Sequence, residues 1–165
     1  MDNGSTTIGL GIIVLIVLPF IIYYLFKKMK DMKFRKGFLV LSEREKVIIS
    51  QKDLWKNCYA IGIDINSKKL LYFNKRKEKE RGTLIDLSEV ARCRIVNIDR
   101  TVKNQNGNSK PTNRLELVFT FNNSGIPEKV LEFYNNTEFM PTVDDFSLIE
   151  NWLSIVNSNL KNGKN

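Results

Sequence analysis

The strongest nucleophiles in this sequence are two thiols, Cys58 and Cys93, and no histidine is present to activate either. That absence removes Ser-His-Asp and Cys-His catalysis and every imidazole metal ligand. A thiol acting alone would need a Lys, an Arg or a helix terminus beside it to become a thiolate. The spacing of Cys58 and Cys93 matches no zinc or redox motif, and two cysteines in a chain of 165 residues make no disulfide framework. Both are therefore expected to be reduced, partly buried thiols. Asp144 and Asp145 are better read as charge at a helix N-terminus than as an acid/base pair. The segment "NGNSK" lacks the glycines of a phosphate-binding loop. Neither a cofactor nor an enzymatic activity is expected.

What the sequence does concentrate is positive charge. Lys27, Lys28, Lys30, Lys33, Arg35 and Lys36 stand against a single acid, Asp31, and the whole chain carries a net charge of +8. Such basicity suits nucleic acid or an anionic membrane surface. Position favours the membrane, because the cluster directly follows the uncharged run "IGLGIIVLIVLPFIIYYLF". The charge-rich "KRKEKER" mixes both signs and reads as a solvated loop, so no nucleic-acid partner is expected.

As a helix the apolar run would be about 28 Å long at about 1.5 Å per residue, close to a hydrocarbon core of about 30 Å. No basic n-region precedes it, and the bulky Tyr23, Tyr24, Leu25 and Phe26 do not resemble a cleavage site. The expectation is a single transmembrane helix over 8–26, after a short extracytoplasmic tail at 1–7. A basic juxtamembrane segment at 27–37 follows it. The charge asymmetry would place the N-terminus outside and the remaining chain in the cytoplasm, at the inner membrane. The six basic residues are also the candidate contacts for anionic lipid.

Beyond residue 37 the periodicity changes. Residues 38–56 allow a short helix or a first strand. Ser42 and Glu45 have capping-box spacing, "KVIIS" is β-branched, and Asp53-Leu54-Trp55 reads as a turn with an aromatic anchor. In "NCYAIGIDI", Tyr59, Ile61, Ile63 and Ile65 share one face. "KKLLYFN", "TLIDL", "RCRIVNID", "RLELVFTF" and "KVLEFYN" continue the strand signal between polar turns such as "KNQNGNSKPTN" and "NNSGIPE". The pattern predicts about six or seven antiparallel strands, as a sandwich or small barrel. Ile149, Trp152, Leu153, Val156 and Leu160 recur at helical spacing, with Thr142 or Asp144 able to cap the start. A C-terminal amphipathic helix over 143–161 would close the domain, which spans 57–162.

Strands closed by one helix with Trp152 on its apolar face resemble the pleckstrin-homology (PH-like) superfold. "TLIDLSEVARCRIV" is similar to bacterial PH-like and GRAM-like domains. The stretches "DLWKNCYAIGIDINSKKLLYF", "IDLSEVARCRIV", "LELVFTF" and "FYN" resemble single-span bacterial membrane proteins of Bacteroidota type. The resemblance covers roughly residues 50–160 and implies an architecture without an activity. PH domains that bind phosphoinositides place basic residues around the first hairpin, and Lys68 and Lys69 occupy such a turn here. The apolar run, the charge asymmetry, the strands-then-helix order and the missing catalytic groups together lead to the expectation of a membrane-anchored cytoplasmic PH-like binding module for an unidentified protein partner, held to the lipid bilayer through residues 8–26. The alternative is a domain that senses anionic lipid at the membrane surface.

Overall fold

The computed structural model describes residues 3–76, 79–103, 109–136 and 141–160. The chain begins with helix α1 (Asn3–Arg44), followed by strands β1 (Gln51–Trp55), β2 (Tyr59–Asp64), β3 (Lys69–Arg76) and β4 (Lys79–Asp86). After a single 3-10 turn at Leu87–Glu89 come β5 (Val90–Lys103), β6 (Ser109–Phe121), β7 (Lys129–Asn136) and helix α2 (Val143–Leu160). All pairings are antiparallel, and the strands form two sheets, β1-β2-β3-β4 and β5-β6-β7, instead of one closed barrel.

The expected transmembrane helix is corrected. Among the described residues, no helix is long and apolar enough to cross a membrane. Nor does the helix end at the basic segment. It runs on as one element of 42 residues, and its last turns serve the sheet. Helix begins at Asn3, within the expected tail at 1–7, and residues 1 and 2 lie outside the described residues.

Ser42 and Glu45 do not start a helix; they end one. Lys46 N–H donates to Glu43 O at 3.1 Å and Val47 N–H to Ser42 O at 2.9 Å, with Lys46 at φ 53°. This is a Schellman termination built on lysine where glycine is usual, and buried Val47 packs under it. Asp53, Leu54 and Trp55 lie in β1, and the reversal falls one step later, at Lys56 (φ 51°) and Asn57 (φ 50°). The expected charged loop is also mostly strand. Lys75 sits directly opposite Glu80 across β3 and β4, and their side chains ion-pair at 2.8 Å. Likewise β5 and β6 remain paired out to Lys103 and Ser109, inside the expected polar turn; residues 104–108 are not described.

The main core lies between the two sheets and α2, around Ile61, Ile63, Leu70, Ile85, Leu115, Leu117, Phe119 and Trp152. Strand β7 runs across the first sheet. Lys129 Nζ donates to Leu84 O in β4 at 2.9 Å, and Tyr72 in β3 donates to Glu132 O. Tyr59 in β2 donates to Glu132 Oε1 at 2.8 Å, and Trp55 Nε1 in β1 to Phe133 O at 2.9 Å. Side chains of one sheet thus satisfy edge carbonyls of the other, where a barrel would use a backbone ladder. Burial and the neighbouring Tyr59 push the Tyr72 phenol far up, so it stays a donor.

Helix α2 covers the open end. Ile149, Trp152 and Val156 have no exposed surface, and Leu148, Leu153, Ile155 and Leu160 flank them. Trp152 Nε1 donates to Asp53 Oδ2 at 2.8 Å, which satisfies the polar atom of a fully buried ring. Thr142 is the N-cap of α2: Asp145 N–H donates to its Oγ1 at 3.4 Å, and Thr142 N–H donates back to Asp145 Oδ2 at 2.9 Å. Lys56 Nζ adds an ion pair to Asp145 at 2.8 Å while lying 3.8 Å from the centre of the Tyr134 ring.

Burial alone would raise the Asp145 carboxyl. The Lys56 ammonium and the Thr142 N–H and hydroxyl outweigh it and hold the group below its ordinary value of 3.8. A folded value below the unfolded one stabilises above the unfolded value and is lost as pH falls through the folded one. Asp145→Asn should therefore cost about 0.5–2 kcal/mol at neutral pH, and the deficit should shrink as pH falls below about 4. Urea denaturation across pH checks this; a deficit that stays constant into acid would show that the carboxylate charge is not what caps the helix.

Candidate functional site: an apolar helix with a basic collar

The site begins with the way α1 meets the first sheet. Phe34, Phe38 and Leu41 recur at i, i+4 and i+7, so they share one helix face, and all three are buried. They pack with Ala60, Leu71 and Phe73 in a second hydrophobic cluster on the side of the sheet away from the main core. Phe34 and Phe73 place their ring centres 5.4 Å apart. Strand β2 is consequently buried along its whole length, with Tyr59, Ile61 and Ile63 in the main core and Ala60 under the helix. The approach is tight at two glycines of the sheet, where an added Cβ would make neighbouring side chains shift. A Cβ on Gly62 would lie 3.0 Å from Phe38 Cζ, and one on Gly82 would lie 2.5 Å from Leu41 Cδ2.

N-terminal to this docked face, every described side chain from Leu15 to Lys30 is exposed, including Leu15 at 78% and Phe20 at 71%. The basic residues named from the sequence lie between the two regions. Lys27, Lys28, Lys30, Lys33, Arg35 and Lys36 are all on α1 and all exposed. At about 100° per residue, Lys27 and Lys30 fall toward the docked side. Lys28 and Arg35 occupy one flank, Lys33 the other, and Lys36 points outward, so the charges encircle the helix. Among the described residues none of the six enters an ion pair. The arrangement leaves a ring of unneutralised cations at one end of an exposed apolar rod, which chemically fits an apolar phase bordered by anions.

Other sequence candidates behave differently. Lys68 and Lys69 are half-buried, and the turn beside them is organised by Asp64. Asp64 Oδ1 accepts from Asn66 N–H at 3.0 Å and Ser67 N–H at 3.1 Å, and Oδ2 from Ile48 N–H at 3.1 Å. Burial pushes the Cys93 thiol up to about 12, which keeps it protonated, and Cys58 is half-buried; neither is in a disulfide. Sequence reasoning missed one carboxylate pair. Glu116 and Glu132 face each other across β6 and β7, but Arg114 bridges them at 2.8 and 3.5 Å, which reads as structural neutralisation. The alternation of "RLELVFTF" signals Glu116 on the face opposite Leu115 and Leu117, whereas its register with Glu132 depends on a bulge that no residue type announces. Among the described residues no group of His, Cys, Asp or Glu could hold a metal ion.

Comparison with family models, with curated proteins and with solved structures found no match.

Truncating a docked side chain should separate the helix from the sheet. Phe38→Ala is expected to lower the stability of the full chain by about 3 kcal/mol or more, and Leu39→Ala by under about 0.5 kcal/mol. Denaturation of both variants in mild detergent checks the contrast. Equal midpoints would mean that the second cluster does not hold α1 in place.

Proposed function

We propose that this protein is a membrane-associated binding module in which the apolar half of α1 enters lipid and the β domain is held beside it for a protein partner. One observation carries the reading: the apolar side chains from Leu15 to Phe26 are exposed all round the helix. A contiguous apolar surface of that extent is unfavourable in water at roughly 25 cal/mol per Å² and marks a surface that something covers. A partner protein would cover one side of a helix, whereas lipid hydrocarbon covers the whole circumference.

The basic collar supports a location at a membrane face rich in anionic headgroups, for which the cytoplasmic face of the inner membrane is proposed. Sheets of four and three strands with a C-terminal helix support the likeness to the pleckstrin-homology superfold, on which protein docking is the proposed role.

The full chain should float with vesicles of phosphatidylcholine alone. Leu18→Asp combined with Ile22→Asp should abolish flotation and leave the thermal midpoint of the β domain unchanged, since neither side chain belongs to a core cluster. A wild-type chain that stays monodisperse in detergent-free buffer and ignores vesicles would overturn the reading.

A further inference from the structure

Two apolar stripes run along the basic half of α1, and the fold uses one of them. Phe34, Phe38 and Leu41 face the sheet. The remaining large apolar residues of that half, Met29, Met32, Leu39 and Val40, are exposed at 48%, 48%, 45% and 62%. At about 100° per residue these four gather on the side opposite the docked face. They continue the 3,4 spacing of Leu15, Leu18, Ile22 and Leu25, broken once where Lys36 takes the place of an apolar residue. Lys28 and Arg35 border the outward stripe on one side and Lys33 on the other, with Lys36 in its midst.

We propose that this outward stripe lies in the interfacial plane of an anionic membrane, with its Met, Leu and Val side chains between the headgroups and Lys28, Lys33, Arg35 and Lys36 on the lipid phosphates. The proposal rests on the reading of the apolar half as lipid-embedded, and it adds a second contact with its own lipid requirement. Charge selects the occupant: four cations border the stripe, so a second copy of the same helix would be repelled and an anionic surface is attracted. Continuity selects lipid over an acidic partner helix, because the stripe runs directly into a segment exposed on every side. Since the sheet is fixed to the opposite helix face, the β domain then sits on the water side of α1 with one defined orientation. Its second sheet and α2 point away from the bilayer.

An environment-sensitive fluorophore at Val40→Cys tests the proposal in the full chain carrying Cys58→Ser. Cys93 is buried and protonated, so it does not compete for the label. Vesicles mixing phosphatidylcholine with phosphatidylglycerol should move the label to an apolar environment, and phosphatidylcholine alone should not. A label at Ser147→Cys, on the exposed side of α2, should stay unchanged with both. Replacing Lys28, Lys33, Arg35 and Lys36 together by Gln should weaken the anionic-vesicle response on the order of 1,000-fold and leave flotation with neutral vesicles intact. A chain that floats while the Val40 label reports water overturns this proposal and leaves the lipid-embedded reading standing. A chain that floats with no vesicle overturns both.

Discussion

The packing of Phe34, Phe38 and Leu41 against the outer face of the first sheet is the constraint on which the rest of this molecule depends. Without it, α1 would be an apolar rod on a flexible connection, and the β domain could point anywhere. With it, the residues that carry the basic collar and those that touch the sheet belong to one rigid helix. The cost of the arrangement appears in the sheet, where β2 gives up a polar face and Gly62 and Gly82 give up side chains to admit Phe38 and Leu41. A sheet whose outer face met only water would gain nothing from those glycines.

The β domain is held by a separate set of interactions. Its main core shares no residue with the cluster under α1. Its two sheets are joined through Trp55, Tyr59, Tyr72 and Lys129, and its open end is closed by Trp152 on Asp53 and by Lys56 on Asp145. The division matters for charge as well. Within the domain, Lys56, Lys75, Arg94 and Arg114 are paired with acids. The collar on α1 has only Asp31 among it, so positive charge is concentrated where, among the described residues, no ion pair neutralises it.

Local periodicity made the β domain legible. Tyr59, Ile61 and Ile63 fall in the main core as alternation predicts, while Ile65, one step past the strand end, is 49% exposed. The α2 stripe is as legible, because its spacing is helical and its surroundings are polar. What escaped was set by tertiary contact or by unusual turn chemistry. The end of α1 uses Lys46 at a position where glycine is the usual signal, so the Ser42–Glu45 spacing suggested a start where there is a stop. Lys75 and Glu80 look like loop residues singly and become strand residues as a cross-strand ion pair. The transmembrane expectation took the basic cluster as the boundary of the apolar run. Helix continuity to Arg44, and the second use of that helix as a packing element, depend on a sheet that lies distant in sequence.

A helix with two jobs must keep them from competing. The docked face repeats at i, i+4 and i+7 and stops at Phe34, whereas the apolar run upstream has no polar face at all. Were the two joined directly, the apolar surface could slide along the sheet in register shifts of one helical turn, with similar hydrophobic gain at each step. Lys27, Lys30 and Asp31 prevent that: each lies on the docked side of the helix, one or two turns upstream of Phe34, and sliding would drive a charge into the space Phe34 fills beside Phe73. Burying an unpaired charge there costs several kcal/mol, more than a turn of apolar contact returns. The collar therefore fixes the register of α1 on the sheet in addition to whatever anions it meets outside, and the orientation of the β domain follows from that register.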